Sequence, residues 1–183
     1  MPCNADEVIQ LMTPDLHRRA FLRGKSSEDG LSALRPPWTM LDLFADQCTR
    51  CDDCIAACPE RIISRGDGGF PEVSFRRGEC TFCGECADVC RAGVFQPEAR
   101  NVESAWTLSV AINASSCLSM NAVVCRICGD RCEPEAIRFQ LRTGAVSVPQ
   151  VDEALCTGCG ACQFSCPVDA VAIGYRRSTE QVA

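Results

Sequence analysis

The chain has 183 residues, 17 cysteines, only 6% aromatic residues and a formal net charge of −6. The acidic balance gives no support for a nucleic-acid-binding protein, and the absence of an apolar run of about 18 residues argues against a membrane span. Because aromatic residues are few and cysteines are many, we expect something other than leucine and phenylalanine to fill much of the core.

Residues 1–47 are predicted to form a leader with one or two short helices. Its segment HRRAFLRGK, at 17–25, resembles a twin-arginine export signal, but the residues that follow are polar. A signal peptide needs an apolar stretch after its arginines, so we favour a short helix with Thr13 as its cap and Gly24 at its end. The proline pair in RPPW, at 35–38, marks the end of the leader. Four nearby apolar side chains are expected to pack onto the first cysteine-rich unit: Trp38, Leu41, Leu43 and Phe44.

Sixteen cysteines fall into four runs, of which the first, second and fourth have the spacing C-x2-C-x2-C-x3-C. This spacing is typical of bacterial [4Fe–4S] ligation, because three cysteines on a curling loop can each reach a different iron. The remaining Cys3 lies near the terminus, where an unliganded thiol is the default interpretation. The runs are Cys48, Cys51, Cys54 and Cys58; Cys80, Cys83, Cys86 and Cys90; Cys117, Cys125, Cys128 and Cys132; and Cys156, Cys159, Cys162 and Cys166.

Disulfides and zinc are the alternatives for so many cysteines. A disulfide scaffold is typical of secreted proteins, but four near-identical clusters are not a usual disulfide layout. Structural zinc favours two knuckles that lie far apart in the sequence, whereas each run here bunches four thiols within a short segment. The repetition therefore favours iron–sulfur clusters over both alternatives.

The fourth cysteine of a run is expected to ligate the partner cluster, because it enters the next helix and points away from its own cube. Intervals of 21 residues after Cys58 and 23 residues after Cys132 divide the runs into two similar halves. We call the four predicted ligand sets sites 1 to 4. Site 1 is Cys48, Cys51, Cys54 and Cys90; site 2 is Cys80, Cys83, Cys86 and Cys58; site 3 is Cys117, Cys125, Cys128 and Cys166; and site 4 is Cys156, Cys159, Cys162 and Cys132.

The third run departs from the pattern, because the seven residues LSMNAVV separate Cys117 from Cys125. In one interpretation an enlarged loop still delivers Cys117 to its iron, which completes a set of sixteen ligands. In the other, Cys117 is buried elsewhere, and three ligands hold a [3Fe–4S] or labile cluster. We favour ligation by Cys117.

The predicted fold class is α+β, with two tandem bacterial-type 2[4Fe–4S] ferredoxin-like units after the helical leader. GDGGF, at 66–70, predicts a turn before a strand at 71–75, and RTG, at 142–144, predicts a turn before a strand at 145–151. The predicted domains are the leader at 1–47, the first unit at 48–98, a connector at 99–116, and the second unit with its tail at 117–183.

The cysteine chemistry favours electron transfer. A [4Fe–4S] cluster with four thiolate ligands changes its charge by one unit, and it has no open iron position for a substrate. The sequence contains no phosphate-binding glycine loop, flavin motif or catalytic triad, and its single histidine, His17, lies in the leader. We therefore predict an electron carrier or accessory protein without a catalytic site of its own.

Several motifs together resemble the NapF-type ferredoxins: RRAFLRG, LRPPW, CTRCDDCIAACPERII, GDGGFPEVSFRRGECTFCGEC and CRICGDRCEPEAIRF. The resemblance runs from about residue 17 to 173. It implies a cytoplasmic protein with four [4Fe–4S] clusters, ligated by the sixteen paired cysteines. It further implies association with the molybdenum-containing catalytic subunit of periplasmic nitrate reductase, whose maturation before export the protein assists.

Two other functions stay open. The chain could be an electron-transfer subunit held permanently in a larger oxidoreductase, such as a hydrogenase or a formate-oxidising complex. It could instead donate iron–sulfur clusters to other proteins. The leader arginines Arg18, Arg19 and Arg23 either contact the partner or form a solvated helix face.

Overall fold

The computed structural model describes residues 33–96, 100–142 and 146–176. Among these residues, no helix is both long and apolar enough to cross a membrane. Several expectations concern residues outside the described ranges: the export-like segment at 17–25 with its helix and arginines, His17, Cys3, and positions 143 and 144 of the predicted turn.

The described part of the first half, residues 33–96, contains three short α-helices and one pair of strands. The strands are antiparallel, with Ile63 opposite Val73 and Arg65 opposite Pro71. The predicted turn between them is confirmed, and Gly68 and Gly69 adopt the positive φ angles of 68° and 81° that glycine tolerates best. The elements are α1 (Leu41–Gln47), α2 (Asp53–Ala57), β1 (Ile63–Arg65), β2 (Pro71–Val73) and α3 (Glu85–Asp88).

The second half, from residue 100, has two antiparallel strand pairs among its described residues. Strand β4 pairs with β5, and β3 pairs with β6, the last strand in the described residues. The elements are β3 (Leu108–Ile112), α4 (Ile127–Asp130), β4 (Ile137–Arg142), β5 (Val146–Val151), α5 (Ala161–Phe164) and β6 (Val171–Tyr175). The strand expected at 145–151 corresponds to β5.

Strand β3 lies inside the interval 99–116, which was expected to be only a connector. Leu108 is buried, while Val110 and Ile112 are half-buried on the same side of the strand. This alternation is the signature of a strand with one buried face. The second half therefore begins with a strand that the sequence-based division left outside it.

The end of the leader pairs with the end of the first half, much as β3 pairs with β6 in the second half. Thr39 forms an antiparallel bridge with Phe95, and the Met40 N–H donates to the Val94 carbonyl at 2.9 Å. Trp38 and Phe44 are buried, as expected. The expectation for Leu41 and Leu43 was wrong, because their side chains are 52% and 43% exposed. Only one face of the seven-residue helix α1 packs inward, and Phe44 occupies it.

The described residues of both halves belong to one compact unit and share one hydrophobic core. Phe75 at the end of the first hairpin is 1% exposed and makes an edge-to-face contact with Trp106 at 5.7 Å between ring centroids. The Arg35 N–H donates to the Tyr175 hydroxyl at 3.0 Å, which ties the leader to β6. The other core residues include Ile63, Val73, Leu108, Ile137, Val171 and Ile173. The two units are therefore packed together rather than joined only by a linker.

Candidate metal centre

Three of the cysteine loops have the same unusual backbone. In each, the residue just before the second cysteine and the residue just after it have positive φ angles. Alternation of right- and left-handed residues turns successive N–H groups toward one side, which forms the anion-binding concavity found at many iron–sulfur sites. The residues are Arg50 and Asp52 (59° and 67°), Phe82 and Gly84 (55° and 81°), and Gly158 and Gly160 (76° and 88°).

A short helix follows each loop and carries the third cysteine of the run. These third cysteines are Cys54 in α2, Cys86 in α3, Cys128 in α4 and Cys162 in α5. The fourth cysteine comes within two residues of the end of the helix, and the third residue after it again has a positive φ angle. Those turning residues are Arg61 (53°), Gly93 (67°), Glu135 (52°) and Asp169 (50°). All four runs therefore leave their site through the same kind of turn.

Sites 1 and 2 each appear as a cavity lined by the four cysteines of the predicted set. Around site 1 the cavity wall also includes Pro71, Val94 and Phe95. Around site 2 it includes Pro37 and Ile62. Each cavity thus draws its fourth cysteine from the other run of the first half, as the crossed pairing requires.

The second half repeats this arrangement. The four cysteines of site 3, including Cys117, line one cavity with Ile112 and Phe139. At site 4, the Cys156 thiol interacts electrostatically with the thiols of Cys159 and Cys132, and Cys162 interacts with all three. The enlarged loop of the third run therefore brings Cys117 to the same cavity as its predicted partners.

Each site offers four cysteine sulfurs, which are the donors that iron–sulfur clusters require. All sixteen described cysteines are free thiols. The cavities of sites 1, 2 and 3 are similar in size, with about 360, 330 and 360 Å³ of empty space including the part open to solvent.

Burial raises the pKa of several of these thiols and so favours their neutral form. It raises the pKa of Cys54 and Cys128 to about 11, and neighbouring thiols add to the effect. Burial likewise raises the pKa of Cys80, Cys86 and Cys162 to about 12. Iron is bound by thiolates, so loading a site must displace these protons, and the metal supplies the energy for doing so.

Contacts between neighbouring sites give the four sites an order. Within the first half, the Cys54 thiol of site 1 interacts with Cys86 of site 2. Within the second half, Cys128 of site 3 interacts with Cys162 of site 4. Between the halves, the Cys80 N–H donates to the Cys159 carbonyl at 2.7 Å, which joins the loops of sites 2 and 4. The order along the molecule is therefore site 1, site 2, site 4 and site 3.

Two family models of iron–sulfur proteins match the chain. Residues 47–94 match a 4Fe–4S dicluster domain, and residues 149–172 match a 4Fe–4S binding domain. The ferredoxin-type protein NapF of Escherichia coli K12 is 42% identical over 165 residues, which cover 90% of this chain and 98% of that protein. The chain belongs to the NapF ferredoxin-type family. NapF of Haemophilus influenzae is 41% identical over 176 residues, covering 91% of this chain and 98% of that protein.

A related ferredoxin-type protein is more distant. NapG of Escherichia coli K12 is 33% identical over 158 residues, which cover 76% of this chain and 68% of that protein. The predicted family and the predicted iron–sulfur character are both confirmed by these matches, and the small helices and sheets are compatible with the predicted α+β class.

Proposed function

We propose that the chain holds four [4Fe–4S] clusters at sites 1 to 4 and relays electrons along them. The observation that carries this proposal is the gathering of sixteen thiols into four similar groups of four. A cluster with four thiolate ligands supplies one-electron chemistry, with a potential set by hydrogen bonds to sulfur and by solvent exposure. The protein supplies the ligands, N–H donors and separation from water.

Particular N–H groups support this role. The Phe82 N–H donates to the Cys80 sulfur at 3.4 Å, and the Ala170 N–H donates to the Cys166 sulfur at 3.2 Å. Hydrogen bonds of this kind stabilise the more negative, reduced cluster and therefore raise its potential. They are a means by which the chain can set different potentials at sites that share one ligand type.

The linear order of the sites favours relay over four independent clusters. An electron that enters at one half can leave from the other, because the loops of sites 2 and 4 touch through Cys80 and Cys159. The two ligand cysteines classed as exposed, Cys51 and Cys83, both belong to the first half. This asymmetry favours exchange with a redox partner at sites 1 and 2.

The biological setting that we propose comes from the family. As a member of the NapF ferredoxin-type family, the protein assists the cytoplasmic maturation of the catalytic subunit of periplasmic nitrate reductase before that subunit is exported. In this role it docks on the unexported subunit and helps to set the redox or cluster state of that subunit.

Anaerobic purification with iron and sulfide analysis tests the cluster content. We expect about sixteen irons and sixteen sulfides per chain, with EPR signals of reduced [4Fe–4S] clusters. A correctly folded preparation without iron would overturn the proposal.

Capture experiments test the setting. The iron-loaded chain should retain the catalytic subunit that still carries its export leader, whereas the same chain after iron removal serves as the control. Failure to retain the catalytic subunit would contradict the proposed maturation role. Stable co-purification with a membrane oxidoreductase would instead indicate a permanent subunit, and transfer of clusters to an iron-free acceptor would indicate donation.

A further inference from the structure

The third cysteine run lacks the backbone device that shapes the other three. Its residue after the second cysteine, Arg126, has a φ angle of −135°, whereas Asp52, Gly84 and Gly160 at the matching positions are left-handed. The separation of seven residues also removes the tight loop that fixes the first cysteine of the run. Something else must therefore hold Cys117 in the wall of site 3.

The Asn121 side chain lies where it can do this. Its amide nitrogen donates toward the carbonyl oxygens of Ala114 and Cys117 at 2.9 Å each, and it lies 3.3 Å from that of Ser115. An amide NH₂ has two hydrogens, so it satisfies the two short contacts fully and the third only by sharing. One side chain thus clamps the backbone on both sides of the turn that leads into Cys117.

Backbone hydrogen bonds also hold the loop, since the Cys117 N–H donates to the Asn113 carbonyl and the Cys117 carbonyl accepts from the N–H groups of Met120 and Asn121, but its tip is unpacked. Ser119 is 2% exposed, and its hydroxyl donates to the Ser147 carbonyl on strand β5. By contrast, Val123 and Val124 are 50% and 94% exposed. Side chains without packing contacts supply no burial free energy to offset the conformational entropy that is lost when a longer loop is ordered. Positioning of Cys117 therefore depends on polar contacts rather than on an apolar core under the loop.

We propose that Asn121 is a positioning residue that places Cys117 for ligation, and that it makes site 3 a four-ligand rather than a three-ligand site. This inference rests on the proposed function, because it presumes a [4Fe–4S] cluster at site 3. Asn121 acts through the backbone of Cys117. Its loss leaves the thiol present but no longer held against its iron.

The test compares the anaerobically purified wild-type chain with Asn121→Ala and Asn121→Asp. Asp has nearly the size of Asn but lacks the NH₂ donors, and its charge faces three carbonyl oxygens. A donor role predicts that both variants lose about one iron per chain and gain a [3Fe–4S] EPR signal of about one spin per chain. A mere space-filling role predicts that the Asp variant behaves as wild type.

Asn101→Ala is the matched control, because the Asn101 side chain accepts from the Ser104 N–H in a loop that carries no cysteine. It should keep full iron and only [4Fe–4S] signals. Circular dichroism should show all four proteins folded, so that the change is confined to one site. Full iron content and only [4Fe–4S] signals in both Asn121 variants would overturn the inference. A wild-type chain without [4Fe–4S] clusters would instead overturn the proposed function.

Discussion

Sites 2 and 3 each gather four cysteines around a similar cavity, but their loops achieve this in different ways. At site 2, the left-handed residues Phe82 and Gly84 curl the backbone so that the cysteines project from a tight turn. At site 3, a longer loop places Cys117 through hydrogen bonds from Asn121. A ligand position can thus be specified by backbone conformation or by a side chain, and the two solutions are sensitive to different substitutions.

The two sites also differ in their place in the order of sites. Site 2 lies where the halves meet, since its Cys80 is bonded to the loop of site 4. Site 3 lies at the far end, beneath a loop with an exposed tip. We therefore expect damage at site 2 to spread through the molecule and damage at site 3 to stay local.

Removal of all iron should have the largest effect, because it empties sites 2 and 3 together with the other two sites. Within the described ranges, the α-helices are four to seven residues long and the sheets have two strands each, and such elements are marginal on their own in water. The clusters would act as staples between distant parts of the chain. We expect most of the far-UV circular dichroism signal to disappear after anaerobic chelation. An unchanged spectrum would mean that the protein core alone holds the fold.

Replacement of a single cysteine ligand should show the difference between site 2, where the halves meet, and site 3, which is last in the order of sites. Cys80→Ala should lose the cluster at site 2 and disturb site 4, because an empty site 2 no longer holds the loop whose residue 80 backbone N–H, which alanine keeps, donates to the Cys159 carbonyl. Cys117→Ala should lose about one iron and leave a [3Fe–4S] cluster at site 3. Iron analysis and EPR spectra of both variants provide the measurement. Equal losses of iron from the two variants would contradict the expectation that damage spreads from site 2 but stays local at site 3.

Glycine substitution tests the loops that depend on the backbone. Gly160 has a φ angle of 88°, and a Cβ there would fall on the Phe75 ring, so Gly160→Ala should cost about 2–4 kcal/mol. Gly93 has a φ angle of 67° with no atom within 4 Å of an added Cβ. The control Gly93→Ala should therefore cost only about 1–2 kcal/mol, from the left-handed backbone alone. Anaerobic thermal unfolding compares the two, and a smaller loss for Gly160→Ala would refute the close packing of the halves.

The smallest effect is expected at the tip of the enlarged loop. Val124→Ser should change the free energy of unfolding by less than about 0.5 kcal/mol, because the side chain is 94% exposed. The same change at Val73, which is 7% exposed in strand β2, should cost about 2 kcal/mol. Thermal unfolding measures both decreases in the free energy of unfolding. Similar decreases would mean that the loop tip makes a stabilising contact.

The cysteine spacing and the turn signals could be interpreted from the sequence because each depends on residues that are close along the chain. Two C-x2-C steps place three thiols of a run near one another, the following helix carries the fourth toward the other run, and GDGGF forms its turn through its own glycines. The crossed pairing followed from the direction in which a short helix carries its last cysteine. The prediction of these local features needed no knowledge of distant contacts.

The remaining features depend on which surfaces meet in three dimensions. Strand β3 was not recognised because its partner β6 is about sixty residues away. In α1, packing against the first half buries Phe44 and leaves Leu41 and Leu43 exposed, although all three are apolar. Arg50 and Phe82 gave no sign of their left-handed backbone, since such residues seldom adopt it. The sequence by itself predicted which sulfur atoms bind iron and in what groups, and those ligand sets stay a prediction. Only the tertiary structure decided the shared core and the order of the sites, because these arise from contacts between segments that local spacing does not specify. The hold of Asn121 on Cys117 is local, since the two residues lie four positions apart, but the side-chain geometry of an irregular loop does not follow from the spacing of its cysteines.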